Sequence, residues 1–330
     1  MTADTNSNTS SVTSPIGVFD SGIGGLSILK ALRAEMPHEQ FVYFADSAHN
    51  PYGSKGDAFV ISRSLAITQQ LINSHHIKAL VVACNTATAA AIHVLRAQHP
   101  SLPIIGVEPA LKPAVAISRT KRIAVLATQG TLHSAKFLAL KASLASQAEF
   151  ICTPCHGLAE LIERSIDVDN TTDLIAAAAK FTWVTGLFGT QNRAIDTVVL
   201  GCTHYPLIRP IFEATLRSAG CYVGNGVDSG SDSDSGSGPS PGVQIVDNGQ
   251  AVAKQLAKQL ANRLANQSAN QLPKQLVKQL AKQPVQPGNA AAPSQPLPER
   301  PQPILLTSGA LQHLHSAAAR WLQNYGPQHT

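Results

Sequence analysis

Short apolar runs that end in glycine and polar residues recur along the chain. The clearest is 197–206, T-V-V-L-G-C-T-H-Y-P, in which a glycine, a thiol, a hydroxyl and an imidazole follow a β-branched run. Such a run is typical of a strand buried on both faces of a parallel sheet, and the carboxyl ends of these strands are where α/β folds bind ligands. We expect the next helix to point its amino terminus at Cys202 and His204, which favours anions and lowers the pKa of a thiol.

A second run, 79–86, reads A-L-V-V-A-C-N-T and places Cys84 at an equivalent position. Further upstream, 16–22 (I-G-V-F-D-S-G) resembles 123–130 (I-A-V-L-A-T-Q-G), and each run precedes its thiol by a similar distance. The pattern therefore predicts two related α/β halves, each with one thiol. A ligand bound between the halves would contact both thiols.

The same periodicity predicts the other elements. Strands are expected at 16–19, 41–45, 80–83, 103–107, 123–127, 150–152, 197–200, 243–247 and 304–307, and helices are expected from 26, from 158 and over 311–322. We predict two pseudo-symmetric α/β domains with mostly parallel sheets and the active site in the cleft between them. The first domain comprises 15–111 and 221–330, and the second comprises 112–220.

Three segments differ from this pattern in composition. Residues 1–14 form a polar extension that we predict to be disordered, and about 224–242 is a Gly/Ser/Asp-rich insert. The third segment, about 255–302, is of low complexity. Its four-residue repeat of leucines is also consistent with a lengthened amphipathic helix, which Pro273 would interrupt.

Composition narrows the class of protein. The 330 residues are 44% hydrophobic, enough for a substantial core, and the net charge of +5 comes from six basic residues within 249–298. The rest of the chain is nearly neutral and only 5% of residues are aromatic, so there is no basic or stacking surface for nucleic acid. Five cysteines, no secretory signal and no membrane-length apolar run predict a cytoplasmic protein with reduced thiols and no membrane partner.

Two local motifs suggest other chemistry. The glycine-rich turn 20–25 is similar to a phosphate loop, but it lacks the Lys-Ser/Thr of a Walker A motif and the third glycine of a dinucleotide fingerprint. The segment 152–156, C-T-P-C-H, matches the pattern for haem attachment and half of a zinc site. Haem attachment requires export and a structural zinc usually needs a second pair, so we interpret this match as a coincidence.

Two thiols that face one ligand can racemise it. A thiolate on one side would remove a proton from carbon while the thiol on the other side delivers one. Asp20 is placed to assist Cys84 if their strands are neighbours, and His204 is placed to assist Cys202. Serine, threonine and asparagine groups near helix amino termini could hold carboxylates without arginine.

At this point the chain resembles the glutamate racemases of the aspartate/glutamate racemase superfamily, which are cofactor-independent enzymes of bacterial cell-wall synthesis. The resemblance rests on D-S-G-I-G-G at 20–25, P-Y-G at 51–53, C-N-T-A-T at 84–88 and G-C-T-H-Y-P at 201–206. It covers about 16–223, 243–254 and 304–322, and it leaves both inserts unexplained. The chain departs from the family at His156, where proline is usual.

The resemblance implies interconversion of L- and D-glutamate, with Cys84 on the D-glutamate face and Cys202 on the L-glutamate face. It implies no cofactor and no metal, and it is compatible with a homodimer and with regulation by a cell-wall precursor. The catalytic residues that it implies are Cys84, Cys202, Asp20, His204 and Glu163. The substrate contacts that it implies are Asp20, Ser21, Tyr52, Gly53, Asn85, Thr86, Thr128, Thr131, Thr203 and His204.

Four alternatives remain open from the sequence. A racemase or decarboxylase of another small acid would share both thiols, although such relatives typically carry Glu where His204 stands. A pyridoxal-phosphate racemase would need a Schiff-base lysine, which the strand-end motifs lack. A dicarboxylate-binding module would leave the thiols without a purpose, and a Cys–His hydrolase using Cys202 and His204 would leave Cys84 unused.

Overall fold

The computed structural model describes residues 14–224, 242–271, 300–322 and 325, and these residues form two parallel sheets. The strands are β1 (Ile16–Asp20), β2 (Phe41–Ala45), β3 (Ala79–Val82), β4 (Ile104–Gly106), β5 (Arg122–Ala127), β6 (Glu149–Pro154), β7 (Thr197–Leu200), β8 (Gln244–Val246) and β9 (Ile304–Thr307). All residues of β1, β2, β3 and β7 are buried, as expected for strands that helices cover on both faces.

The two sheets repeat one strand order. The first is β4-β3-β1-β2-β9, and the second, counted from its opposite edge, is β8-β7-β5-β6. Thus β3, which precedes Cys84, corresponds to β7, which precedes Cys202, and β1 corresponds to β5. The predicted fold class, with two related α/β halves, is confirmed.

The position of β8 differs from the predicted domain division, which placed all of 221–330 in the first half. β8 pairs with β7 in the second sheet, in parallel register from Thr197 with Gln244 to Val199 with Val246. This pairing satisfies the backbone groups along the free side of β7 and gives the second half its counterpart of β4. The chain returns to the first half only after β8.

Helices cover both sheets. They are α1 (Leu26–Glu35), α2 (Asp57–His75), α3 (Asn85–Gln98), α4 (Leu111–Ile117), α5 (Gln129–His133), α6 (Ala135–Ser143), α7 (Leu158–Arg164), α8 (Thr171–Thr185), α9 (Arg209–Ser218), α10 (Gly249–Gln271) and α11 (Leu311–Trp321). In this part of the chain no helix combines the length and the apolar character needed to cross a bilayer.

The leucine repeat begins as a core helix. Val252, Ala253 and Leu256 on α10 are buried against α1, whereas Leu264 is 49% exposed. The structure therefore differs from the predicted insert boundary at 255, because the helix continues to Gln271 and its first turns complete the core. Residues 225–241 and 272–299, which contain most of the two predicted inserts, and residues 1–13 of the predicted extension lie outside the described residues.

Candidate active site

The carboxyl ends of the two sheets face each other. Ser27, at the start of α1, donates its hydroxyl to the carbonyl of Thr203 at 2.8 Å, and Thr203 Oγ1 lies 3.5 Å from Asp20 Oδ1. On the other side of the cleft, a Cβ placed on Gly53 would lie 3.6 Å from Cβ of Thr128. The structure thus brings the predicted residues of both halves to one cleft.

Cys84 follows β3 and lies at the amino terminus of α3. Its Sγ accepts a hydrogen bond from the Ala87 N–H at 3.4 Å and lies 3.8 Å from Ser21 Oγ. Burial and the neighbouring Asp20 raise the pKa of the Cys84 thiol, and the Ala87 N–H opposes this only in part. Cys84 is therefore a protonated thiol at neutral pH. Because β1 and β3 are neighbouring strands, Asp20 is close to it.

Cys202 has a different neighbourhood. The helix predicted directly after it begins only at Arg209, because a 3-10 turn (Tyr205–Ile208) comes first. The Cys202 Sγ instead lies 3.7 Å from Nδ1 of the buried His204. Burial disfavours the imidazolium, but Cys202 and Glu163 raise the pKa of His204 well above its usual value. A cation beside the sulfur stabilises a thiolate there.

Glu163 lies on α7, and its carboxylate contacts His204. Oε1 accepts hydrogen bonds from His204 Nε2 and from the Ile23 N–H, both at 2.7 Å, so it connects the second half to the glycine-rich turn of the first. Burial would raise the pKa of Glu163, but His204, His313 and the Ile23 N–H together lower it to about 2. Glu163 is therefore ionised at every physiological pH.

The glycines of the turn 20–25 allow this close approach. A Cβ on Gly22 would lie 1.9 Å from Glu163 Oε1, and a Cβ on Gly24 would lie 2.4 Å from His204 Nδ1. The turn that resembles a phosphate loop in sequence is thus occupied by two side chains from the opposite half. Tyr43, buried on β2, donates to the Gly22 carbonyl at 2.7 Å and fixes the turn from below.

Tyr52 does not offer its hydroxyl to the cleft. The hydroxyl donates to Asp46 Oδ2 at 2.5 Å, and Arg63 Nε and Nη2 donate to the same carboxylate at 2.9 and 2.8 Å. Burial opposes ionisation of Asp46, but Arg63 and Tyr52 lower its pKa to about 2. Asp46 was not among the residues predicted from the sequence, although it directly follows β2, just as Asp20 ends β1.

The other predicted contacts divide into two groups. Asn85 is buried and its Oδ1 has no partner among the described residues, whereas Thr86 faces the second half, with Cγ2 3.9 Å from a Cβ built on Gly130. Thr128 caps α5, since its Oγ1 accepts from the Thr131 N–H at 3.3 Å and lies 3.0 Å from Thr131 Oγ1. The cap already employs both threonines, so Asn85 is the more available polar group.

The C-T-P-C-H segment differs from residue to residue in its surroundings, and Cys155 packs in the same buried core as Cys202, with its carbonyl accepting from the Tyr205 hydroxyl at 3.4 Å. Cys152 is on β6 and half-buried, Cys155 is buried, and His156 is exposed. Among the residues that the structure describes, no group of three or more His, Cys, Asp or Glu side chains could hold a metal ion.

Asp20→Asn is expected to stabilise the fold at neutral pH. Burial raises the pKa of Asp20 from 3.8 to about 6, against the attraction of His204 and the Gly25 N–H at 2.9 Å. Because the folded-state pKa is the higher one, the carboxyl favours folding most below pH 4, and this contribution is lost as pH rises through about 6. A shift of about two units corresponds to an upper limit of about 3 kcal/mol.

Thermal unfolding of the parent and Asp20→Asn proteins between pH 4 and 8 checks this. The melting temperature of the variant should be close to that of the parent at pH 4. At pH values above 7 it should exceed that of the parent by a few degrees. A variant that is less stable at pH 8 would show that the hydrogen bonds from Gly22 and Gly25 to the carboxylate outweigh its burial.

The chain is similar in sequence to proteins of one known family. Residues 26–256 match the model of the family described as Asp/Glu/hydantoin racemase. The glutamate racemase of Ectopseudomonas mendocina is 41% identical over 243 residues, which is 73% of this chain and 80% of the relative. The glutamate racemase of Ralstonia nicotianae is 48% identical over 195 residues, covering 59% of this chain and 67% of the relative.

Solved structures give the same result. Glutamate racemase isoform RacE1 from Bacillus anthracis superposes with a TM-score of 0.65 at 25% identity and covers 94% of both chains. Escherichia coli glutamate racemase, solved with L-glutamate and the activator UDP-MurNAc-ala, superposes with a TM-score of 0.58 at 28% identity, over 74% of this chain and 81% of that one.

Proposed function

The chain belongs to the Asp/Glu/hydantoin racemase family, and we propose that it is a glutamate racemase in which Cys84 and Cys202 exchange the Cα proton of glutamate without a cofactor. The observation that carries the proposal is a pair of buried thiols at the carboxyl ends of the equivalent strands β3 and β7. The D-glutamate formed serves peptidoglycan synthesis, as in the family.

Each direction uses one thiol as base and the other as acid. From L-glutamate, Cys202 as thiolate removes the Cα proton, and Cys84 as thiol delivers its own proton to the opposite face. From D-glutamate, the two groups exchange roles. The different surroundings support this starting state, because burial and Asp20 keep Cys84 protonated whereas His204 lies beside Cys202.

Binding of the substrate uses polar groups of both halves. Asn85 Oδ1, which has no partner among the described residues, is an acceptor for the substrate ammonium. Ser21, Thr86 and Thr203 offer hydroxyls, and the amino terminus of α3 favours a carboxylate. Asp20 acts on the neighbouring Cys84, and Glu163 acts on Cys202 through His204.

Circular dichroism of L- and of D-glutamate incubated with the chelator-treated protein tests the function. Both signals should decay to zero, because the two enantiomers are equal in free energy. Decay with aspartate but not with glutamate would assign the chain to another substrate of the family. Unchanged signals for both amino acids, from folded protein, would contradict racemisation.

Three further parts belong to this proposal. The requirement for two free thiols supports a reducing, cytoplasmic location. A homodimer is proposed from the resemblance. Regulation by a cell-wall precursor is proposed because the Escherichia coli neighbour was solved with such an activator.

A further inference from the structure

A row of ionisable side chains leads from the Cys202 thiol to the protein surface. His204 Nδ1 is 3.7 Å from the Cys202 sulfur, and His204 Nε2 is 2.7 Å from Glu163 Oε1. Glu163 Oε2 is 3.6 Å from His313 Nε2, and His313 Nδ1 is 2.9 Å from Asp167 Oδ2. His313 lies on α11 and nothing in the sequence patterns indicated it.

The second oxygen of Glu163 depends on His313. Oε1 already accepts from His204 and from the Ile23 N–H, whereas the ion pair of Oε2 is with His313. A buried carboxylate is costly unless its charge is paired and its oxygens are satisfied. Glu163 is only 9% exposed, so the loss of one partner leaves charge that water does not reach easily.

His313 is suited to this task because two carboxylates hold its ring. Glu163 and Asp167 raise the pKa of His313 to about 9, against the partial burial of the ring. These are the ionisable groups that face the ring from α7 and the segment after it. Arg320, further along α11, is directed elsewhere and donates to the Ser165 carbonyl at 2.8 Å.

The contact also joins the two halves of the protein. α11 follows β9 of the first sheet, whereas Glu163 and Asp167 follow strands of the second. We propose that His313 is a positioning residue that, anchored by Asp167, fixes the Glu163 carboxylate on His204 and thereby supports the thiolate of Cys202. This inference rests on the proposed function and assigns it a residue from outside the cleft.

His313→Gln is the direct test. The amide removes the charge but keeps a polar group of similar length, and kcat should fall about tenfold with little change in KM, by analogy with carboxylate–histidine pairs that orient ligands in metal sites. His313→Lys, which retains the charge, should recover part of the loss. His315→Gln is the matched control on the same helix, because His315 pairs with Tyr325 and not with the cluster.

Primary isotope effects distinguish positioning from a general loss of structure. Slower proton transfer at Cys202 makes removal of deuterium from α-deuterated L-glutamate more rate-limiting. The isotope effect measured with L-glutamate should therefore rise. Cys84 removes the deuterium from α-deuterated D-glutamate, and this step should become less rate-limiting. The isotope effect measured with D-glutamate should therefore fall. A merely structural defect would leave the ratio of the two effects unchanged.

Asp167→Asn keeps the test valid if His313→Gln does not fold, because the Asp167 side chain is 66% exposed. It should lower the pKa of His313 and move the alkaline decline of kcat to lower pH. The inference is overturned if folded His313→Gln, or Asp167→Asn in its place, has the kcat and pH profile of the parent, or if both isotope effects change equally. A parent that does not racemise glutamate would instead overturn the proposed function.

Discussion

Replacing either Cys84 or Cys202 with alanine is expected to abolish racemisation of glutamate in both directions. Each direction needs one thiol as base and the other as acid, so neither thiol can substitute for its partner. A positioned acid or base contributes about 10²- to 10⁴-fold to the rate, and a loss within or above this range is expected for each variant. Circular dichroism assays started from each enantiomer measure it.

Cys221→Ala is the matched control. Cys221 is a free, partly exposed thiol that follows α9, and its Sγ lies 3.5 Å from the Phe188 carbonyl. The Cys221→Ala protein should racemise glutamate at the rate of the parent. This result would show that the loss in the other two variants comes from the cleft thiols and not from the removal of any thiol. A Cys84→Ala or Cys202→Ala protein that is folded and retains a rate near that of the parent would contradict the two-thiol mechanism.

Deuterated solvent gives an independent measure of the same mechanism. The proton removed from L-glutamate stays on Cys202, while the deuteron delivered to the product comes from Cys84. New D-glutamate should therefore carry deuterium at Cα, and the remaining L-glutamate should gain little at early times. L-glutamate that exchanges as fast as product appears would indicate a single base that returns its proton to either face.

The sequence predicted the centre of the site because strand ends have a local signature. Runs such as 197–200 are buried on both faces, and the polar residues that follow them must lie at the carboxyl edge of a parallel sheet. The repeat of this pattern before Cys84 and Cys202 predicts two equivalent sheets. In the first sheet β4 lies beside β3, so the same symmetry predicts a strand beside β7. The structure has β8 at this position.

What the sequence could not predict depends on contacts between distant segments. His313 contacts Glu163 because α11 of the first half packs beside α7 of the second, a relation that no local periodicity encodes. Asp46 had a local signal, since it follows β2, but its partner Arg63 is reached only through the packing of α2. The hydrogen bond from the Tyr52 hydroxyl to Asp46 is likewise a tertiary effect.

The glycine-rich turn shows how one pattern can have two meanings. From sequence, its glycines indicate a tight strand-to-helix connection or a phosphate loop. In the structure they leave space for His204 and Glu163, which arrive from the other half. The turn is therefore part of the contact surface between the two halves, and a side chain added there should disturb catalysis more than folding.

Gly24→Ala is accordingly expected to reduce kcat about a hundredfold. The new methyl would lie 2.4 Å from Nδ1 and 2.6 Å from Cε1 of His204, and Nδ1 is the atom that faces the Cys202 sulfur. The overlap between the new methyl and the His204 ring is relieved only if the buried ring moves away from the thiol or the two halves separate. A displacement of about 1 Å at a catalytic group costs on the order of 10²-fold in rate.

Gly56→Ala is the control for this substitution. Gly56 precedes α2 with φ −67° and ψ 157°, and a Cβ there would meet nothing within 4 Å. It should keep the kcat of the parent, with equal or slightly higher stability. Steady-state kinetics with thermal unfolding of both variants decide the matter. If Gly24→Ala folds and retains the kcat of the parent, then His204 does not need its observed position beside Cys202, and its proposed role in stabilising that thiolate is wrong.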